Sequence, residues 1–251
     1  MSAELFEFVT RLGDNTLVLG HRVSEWCGVA PVLEEDIALA NTALDLIGQT
    51  TLWLSLAGDI EGKGRDADRL AFHRDVWDFR NVLLVEQPNG DFGQTMMRQF
   101  LFDCWHAIYL DALRKSTHPE ISAIAEKSLK EVTYHLERSQ ETVIGLGDGT
   151  KESHRRMQNA LDRLWPYVGE MFHTDDVDEA MITQGITPRT PQLRAAFDAQ
   201  IADVMRRATL HIPVGDFSHA GGRTGARHTE HLGHMLTQMQ WLQRAYPDAT
   251  W

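Results

Sequence analysis

The sequence predicts an all-α protein, a four-helix bundle with additional helices at its N- and C-terminal ends. Three observations predict this fold. Apolar residues recur every three to four positions along four long stretches between Leu33 and Gly145. Turns that contain proline and glycine separate these stretches. Each stretch also places a carboxylate within an otherwise apolar run, as in helical bundles whose inward-facing carboxylates bind metal.

The length predicts one domain. A chain of 251 residues can bury a sizeable core as a single unit, so we expect one domain over 1–251. The core bundle is predicted over about 33–145, with flanking helices over 1–30 and 150–246.

Composition excludes several classes of partner. The chain has 36 acidic and 24 basic residues and a formal net charge of −12, so its surface should repel nucleic acid and anionic membranes. A protein or a small molecule is the expected partner. Cys27 and Cys104 lie in separate helical stretches and form no C-x-x-C pair, which favours a reducing cytoplasm. The N-terminus shows no targeting signal, and no run of 18 apolar residues predicts a membrane span.

The first half of the chain divides into three predicted helices. An opening helix from about Ala3 to Val29 has a soft point at Gly13-Asp14-Asn15 and ends before Pro31. Helix A, Leu33 to Ala57, is apolar nearly all round, as expected of a central helix. After a loop with three glycines, helical spacing resumes in helix B, Arg65 to about Glu86.

The second half continues the helical pattern. Helix C runs from about Phe92 to Lys115 and helix D from Glu120 to Gly145, each preceded by a proline-containing turn. A fifth helix is predicted around Glu152 to Phe172. A further helix ends near Thr209, and a last one covers about Arg227 to Ala245.

The polar residues of the four central helices form a candidate metal site. Di-iron carboxylate proteins hold two metal ions with inward Glu residues and Glu-x-x-His pairs from four helices. Residues three or four apart share a helix face, so a carboxylate and a histidine at that spacing can aim at one point. The candidates, in chain order from helix A to helix D, are Asp45, Asp75, Asp78, Asp103, His106, Glu131 and His135.

This set departs from a di-iron ligand set. Aspartate is one methylene shorter than glutamate, Asp78 stands where helix B would need a histidine, and Tyr134 displaces the histidine of helix D by about 100°. We therefore expect no metal and interpret the residues as a vestigial site, a buried network in which carboxylates pair with Arg74, Arg98, Arg138 or the histidines. A redox-active metal pair, or one cation on Glu131, His135 and Asp75, remains the alternative.

Other histidine-containing patterns carry less weight. Glu170 and His173 form a lone Glu-x-x-His near the end of the fifth helix, which we interpret as coincidence. His228, His231 and His234 lie at helical spacing but lack a third fixed ligand for zinc, so a solvated or partner-facing helix is expected. The glycine-rich loop Gly221–Gly225 is predicted to be a turn, not a phosphate site.

The sequence also resembles a known family, the C subunits of the bacterial ring-1,2-phenylacetyl-CoA epoxidase, a multicomponent monooxygenase. The resemblance covers essentially the whole chain. The segments that carry it are GHRVSEWCGVAPVLEEDIALANTALDLIGQ, VEQPNGDFGQTMMRQFLFDCWH, KEVTYHLERS, ALDRLWPYVGEMF, HTEHLGHML and YPDATW.

The resemblance implies a ferritin-like fold and a non-catalytic structural role. In this family a homologous A subunit holds the iron pair and binds the CoA thioester. A small further subunit and a reductase belong to the same system, which uses dioxygen and NADPH. The resemblance implies that this chain holds no cofactor and that Asp45, Asp75, Asp103, Glu131 and His135 are remnants of a site. It leaves a homodimer of the isolated chain open. The alternative function is a metal-binding di-iron carboxylate protein with an aberrant ligand set, either an oxygenase or an iron-handling protein.

A structural subunit needs an interface, and the first helices are the predicted place. Helix A is apolar nearly all round, and the aromatic residues Phe6, Phe8, Trp26 and Trp53 exceed what one core needs. We expect a partner subunit to bury part of this surface.

Overall fold

The chain is all helical in a computed structural model that describes residues 3–215, 217–247 and 249, and these residues contain no β-strand. The predicted all-α class is confirmed, and the architecture is consistent with a ferritin-like helical bundle. The α-helices are α1 (Ala3–Ser24), α2 (Leu33–Glu61), α3 (Ala67–Phe72), α4 (Leu83–Glu86), α5 (Phe92–Leu113), α6 (Pro119–Gly147), α7 (Lys151–Leu164), α8 (Asp176–Thr183), α9 (Thr190–Arg207) and α10 (Glu230–Ala245).

Residue contacts divide the chain into two compact units. The first unit contains Met1–Gln87 and Ala220–Trp251, and the second contains Pro88–His219. The single domain over 1–251 stays a prediction. Within the described part of the chain, no helix combines the length and the apolar character needed to cross a membrane. Of the segments that carry the family resemblance, Asp248, Thr250 and Trp251 lie outside the described residues.

The first unit is built on an antiparallel hairpin of α1 and α2. Glycines allow the two helices to approach closely: a Cβ added at Gly13 would lie 2.6 Å from Cδ2 of Leu54. Further along, the hydroxyls of Thr16 and Thr50 are 2.8 Å apart across the helix pair. The predicted soft point at Gly13-Asp14-Asn15 is therefore wrong, because α1 runs through it without a break and uses Gly13 for packing.

The predicted helix B, 65–86, is also wrong. This segment contains α3, a 3-10 turn at Val76–Asp78 and α4, with extended backbone between them. Two amides that a continuous helix would pair internally bond to α1 instead. The Arg80 amide donates to Asp14 and the Val82 amide donates to Asn15, both at 2.8 Å. Because Asp14 and Asn15 are buried, these bonds fix the segment in a non-helical path.

The second unit is built on a hairpin of α5 and α6, with α7 and α9 packed against it. The bounds of these two helices agree closely with predicted helices C and D. Asp91 caps α5 by accepting from the Gln94 amide, and Pro119 occupies the first turn of α6. The fifth helix ends at Leu164 rather than at the predicted Phe172, and 3-10 turns that include Pro166 follow it.

Candidate functional site

A buried polar group joins the middle of α5 to α6. Asp103 of α5 is fully buried. One of its carboxylate oxygens accepts from Nε2 of Gln99 at 2.7 Å, and the other accepts from Oγ of Ser139 at 2.8 Å. Gln99 lies one turn earlier on the same helix, whereas Ser139 belongs to α6. We call Asp103, Gln99, Ser139, His106 and His135 the Asp103 cluster.

Burial dominates the electrostatics of this carboxylate. It raises the pKa of Asp103 to about 6. The electrostatic influence of His135 and the hydrogen bonds from Ser139 and Gln99 favour the ionised form of Asp103, but they offset only part of the effect of burial. Asp103 therefore titrates close to neutral pH.

His106 lies one turn further along α5 and is held neutral. Burial, together with the smaller effect of the nearby His135, lowers the pKa of His106 to about 3. The surroundings are aromatic, with ring centroids of Phe102 and Trp105 at 5.0 and 6.1 Å from the imidazole. Nδ1 of His106 is buried without a hydrogen-bond partner. An apolar pocket of this kind favours a neutral imidazole at neutral pH.

The structure brings together three of the predicted site residues. Asp103, His106 and His135 lie in one buried cluster on the α5–α6 hairpin. Glu131 lies one turn before His135 on α6 and is half-buried. The spacing on helix C thus predicted that Asp103 and His106 share a buried face.

The structure does not place the other predicted residues in such a site. Asp75 and Asp78 are exposed at the two ends of the 3-10 turn, where Asp78 accepts from the Asp75 amide at 3.0 Å. The Asp75 carboxylate also pairs with Arg244 at 2.9 Å. The expectation that they project inward from a long helix is wrong, because that helix does not form. Asp45 is half-buried on α2 of the first unit.

The donor set does not fit a pair of iron ions. Two irons need several carboxylate oxygens to bridge them and to balance their charge. In the Asp103 cluster one carboxylate is present and both its oxygens already accept hydrogen bonds from side chains. Among the described residues, no three His, Cys, Asp or Glu side chains are arranged to hold a metal ion. That no metal binds this chain stays a prediction.

A second buried carboxylate was missed by the sequence reasoning. Glu86 at the end of α4 is fully buried and receives bonds from three residues. Asn81 donates to it at 2.9 Å, and the amide and hydroxyl of Thr229 each donate at 2.7 Å. Nδ1 of His228 lies 2.6 Å from the same carboxylate. The criterion used for the metal candidates, a carboxylate within an apolar run, would have found Glu86 in Leu-Leu-Val-Glu.

Another buried carboxylate, that of Asp14, is the partner of Arg74, one of the arginines expected to pair with a buried carboxylate. Arg74 is buried and donates through two nitrogens to Asp14, and its guanidinium lies 4.3 Å from the ring centroid of Phe79. Arg98, another expected carboxylate partner, donates to Oδ1 of Asn89 at 2.7 Å. This buried ion pair lies in the first unit and involves none of the predicted site residues, so the predicted network among those residues stays a prediction.

The remaining histidine patterns have separate explanations. The ring of His228 is buried against Glu86 before α10 begins, so the expectation of a solvated position is wrong for this residue. His231 is half-buried and His234 is exposed. Glu170 is buried whereas His173 is exposed, so the two do not share an environment. The glycine loop is a turn, as predicted, closed by a bond from the Gly225 amide to the Gly222 carbonyl.

Comparison with known proteins adds two findings. A family model described as phenylacetic acid catabolic protein matches residues 1–251. A curated relative from Escherichia coli (strain K12), the C subunit of 1,2-phenylacetyl-CoA epoxidase, is 46% identical over 248 residues, which is 99% of each chain.

Proposed function

Because the chain belongs to the phenylacetic acid catabolic protein family, we propose that it is the C subunit of a phenylacetyl-CoA epoxidase. In this proposal it is a non-catalytic structural subunit that binds and stabilises the homologous di-iron catalytic subunit. The observation that carries the proposal is the 46% identity with the E. coli protein over 99% of both chains.

The Asp103 cluster supports a non-catalytic role. Its carboxylate bonds to Gln99 and Ser139, and its imidazole at His106 is held neutral in an aromatic pocket. Such groups connect two helices but offer few open donor positions for a metal. The alternative, an oxygenase or iron-handling protein with an aberrant ligand set, is not favoured.

The proposal includes the rest of the assembly. The partners would be the catalytic subunit, a small further subunit and a reductase that draws on NADPH, all in the cytoplasm. The iron pair and the CoA thioester would belong to the catalytic subunit. This chain would contribute a folded surface and no reacting group.

Metal counting on the isolated chain tests the non-catalytic role. After anaerobic loading with ferrous iron and removal of free metal, we expect well below one iron per chain. The catalytic subunit, treated in the same way, is the positive control. Retention of close to two irons per chain would refute the structural role.

Turnover in the assembled complex gives a second test. Asp103→Asn removes the carboxylate with little change of shape. We expect the variant complex to epoxidise phenylacetyl-CoA at the unmodified rate per assembled catalytic subunit. Native mass spectrometry reports assembly separately from activity. A fully assembled complex with abolished turnover would show that Asp103 takes part in the reaction.

A further inference from the structure

The outward face of α2 lacks charge over about five turns. From Ile37 to Ser55 its exposed residues lie in one line along the helix. We call this line the α2 seam: Ile37, Asn41, Leu44, Gly48, Thr51 and Ser55. None of these residues is charged. Leu44 and Ile37 leave 66% and 53% of their surface exposed, which is unfavourable for large aliphatic side chains in water.

The longest helix of the second unit, α6, has an exposed face that carries many charged residues. Its exposed residues include Glu126, Lys127, Lys130, Glu137 and Glu141. Both helices have 29 residues and both expose one face. The difference in charge therefore does not follow from length or from being at a surface. It indicates that the α2 seam is covered by protein in the functional assembly.

The spacing of the seam fits another helix. Its residues alternate at intervals of four and three, the 3.5-residue period of two helices that pack side by side. A Cβ added at Gly48 would meet nothing within 4 Å, so nothing in this chain requires glycine there. Thr51 donates its hydroxyl to the Ile47 carbonyl at 3.1 Å and can therefore be buried without losing a partner.

Exposed apolar residues continue towards the start of α2. Leu33, the first residue of the helix, is 70% exposed, and Val29 and Val32 of the preceding loop are 67% and 53% exposed. Because Leu33, Ile37 and Leu44 share one helix face, the exposed apolar side chains of the seam extend to the beginning of α2. By contrast, Phe8 and Trp53, which were expected at a partner interface, are buried in the core.

The charges of α2 identify the occupant. All of its charged residues are acidic, and among them Glu34 and Asp59 are exposed at the two ends of the seam, three residues before Ile37 and four after Ser55. A second copy of this chain, packed antiparallel about a two-fold axis, would bring Glu34 of one copy towards Asp59 of the other. Lysine or arginine on the facing helix would instead be attracted to both.

We propose that the α2 seam is the docking surface for a helix of a different subunit, one with an uncharged face and basic residues at the two places where it meets Glu34 and Asp59. This inference rests on the proposed function, which supplies the homologous catalytic subunit as the partner. It adds the position at which that subunit docks and the surface chemistry of its contacting helix.

Charge placed in the seam tests the proposal. Leu44→Arg is co-expressed with the catalytic subunit of the same organism, and the complex is captured through a tag on this chain. Tyr134→Arg on α6 is the matched control, because Tyr134 is also 57% exposed. We expect Leu44→Arg to lower the recovered catalytic subunit at least ~10-fold and Tyr134→Arg to change it less than about twofold.

Two further variants separate docking from folding. Leu44 is already largely exposed, so Leu44→Arg should leave the melting temperature of the purified chain unchanged. If Leu44→Arg does change the melting temperature, Gly48→Gln is the second variant. It adds a side chain where this chain has open space, and it should block assembly without unfolding the chain. Asp59→Lys should weaken capture and also reduce its dependence on salt.

The outcomes distinguish the two proposals. If the unmodified chain recovers no catalytic subunit, the proposed function fails and the docking surface fails with it. If the unmodified chain recovers it and the folded seam variants do so equally well, only the docking proposal is overturned. If the chain alone is a dimer that Leu44→Arg converts to a monomer while capture is retained, the occupant is a second copy, which also overturns it.

Discussion

Replacing Asp103 with asparagine should stabilise the protein at neutral pH. The substitution keeps the shape of the side chain and removes a buried charge. Hydrogen bonding can be preserved. The asparagine oxygen can accept from Gln99, its amide can donate to Ser139, and the Ser139 hydroxyl can donate to the Leu136 carbonyl, which lies 3.3 Å away.

The expected magnitude follows from the raised pKa of Asp103. Burial moves this pKa from 3.8 to about 6, a difference of about two pH units. At about 1.4 kcal/mol per unit, ionised Asp103 costs the folded state on the order of 3 kcal/mol. Between these two pKa values the folded chain keeps a proton that the unfolded chain has released. The stability that Asp103 contributes therefore falls as the pH rises from about 4 to 6.

Urea unfolding of both proteins between pH 4 and 7.5 measures this effect. The free-energy difference, variant minus unmodified, should rise across this range by an amount on the order of 3 kcal/mol, with most of the change below about pH 6.5. The lowered pKa of His106 produces the opposite pH dependence, stability lost as the pH falls below 6.5. It is present in both proteins and largely cancels in the difference.

The reasoning is refuted if the difference is the same at pH 4 and pH 7.5. It is also refuted if the free energy of unfolding of the unmodified protein increases relative to that of the variant as the pH rises. The ionised carboxylate would then be stabilised by its neighbours. Asp148→Asn, at an exposed position, is the control for the general effect of removing one negative charge.

Three further predictions follow from buried or exposed positions. Asp14→Asn should lower the free energy of unfolding by about 3–5 kcal/mol, because it leaves the buried Arg74 without its counter-ion. Urea unfolding at neutral pH measures this loss, and a loss below about 1 kcal/mol would contradict the assigned ion pair. Gly48→Ala should stabilise the isolated chain by about 0.5–1 kcal/mol in the same assay, because no neighbour crowds the added methyl group; destabilisation would show that the glycine serves the fold. A thiol reagent should modify the exposed Cys27 in the native protein and reach Cys104 only after denaturation, because burial raises the pKa of the Cys104 thiol; two reactive thiols in the native state would contradict its burial.

The helical periodicity predicted the long elements with good accuracy. Helices C and D were placed within about two residues of α5 and α6, because the pattern that defines an amphipathic or buried helix is local. The same pattern failed for 65–86. Arg80 and Val82 donate their amides to Asp14 and Asn15, more than sixty residues earlier, and no local pattern contains that information.

The candidate site divides in the same way. The three-residue spacing of Asp103 and His106 on one helix predicted that both lie on the same buried face. His135 joins them although its position on helix D was expected to be displaced by about 100°. Asp75 and Asp78 have equally apolar neighbours in the sequence but are exposed, since the segment that carries them turns outward. The apolar run before Glu86 could have identified it as a buried carboxylate, but not its partners His228 and Thr229, which lie more than 140 residues later in the chain.

The sequence by itself determined the all-α class and the long helices, and it carries the prediction that a complete di-iron ligand set is missing, since each depends on residue type and on spacing within one helix. The tertiary structure decided which carboxylates are buried, which backbone leaves the helical path and which helix face lacks charge at the surface. These properties depend on side chains that are distant in the sequence, because burial and hydrogen bonding are fixed by what packs against a residue rather than by its neighbours along the chain.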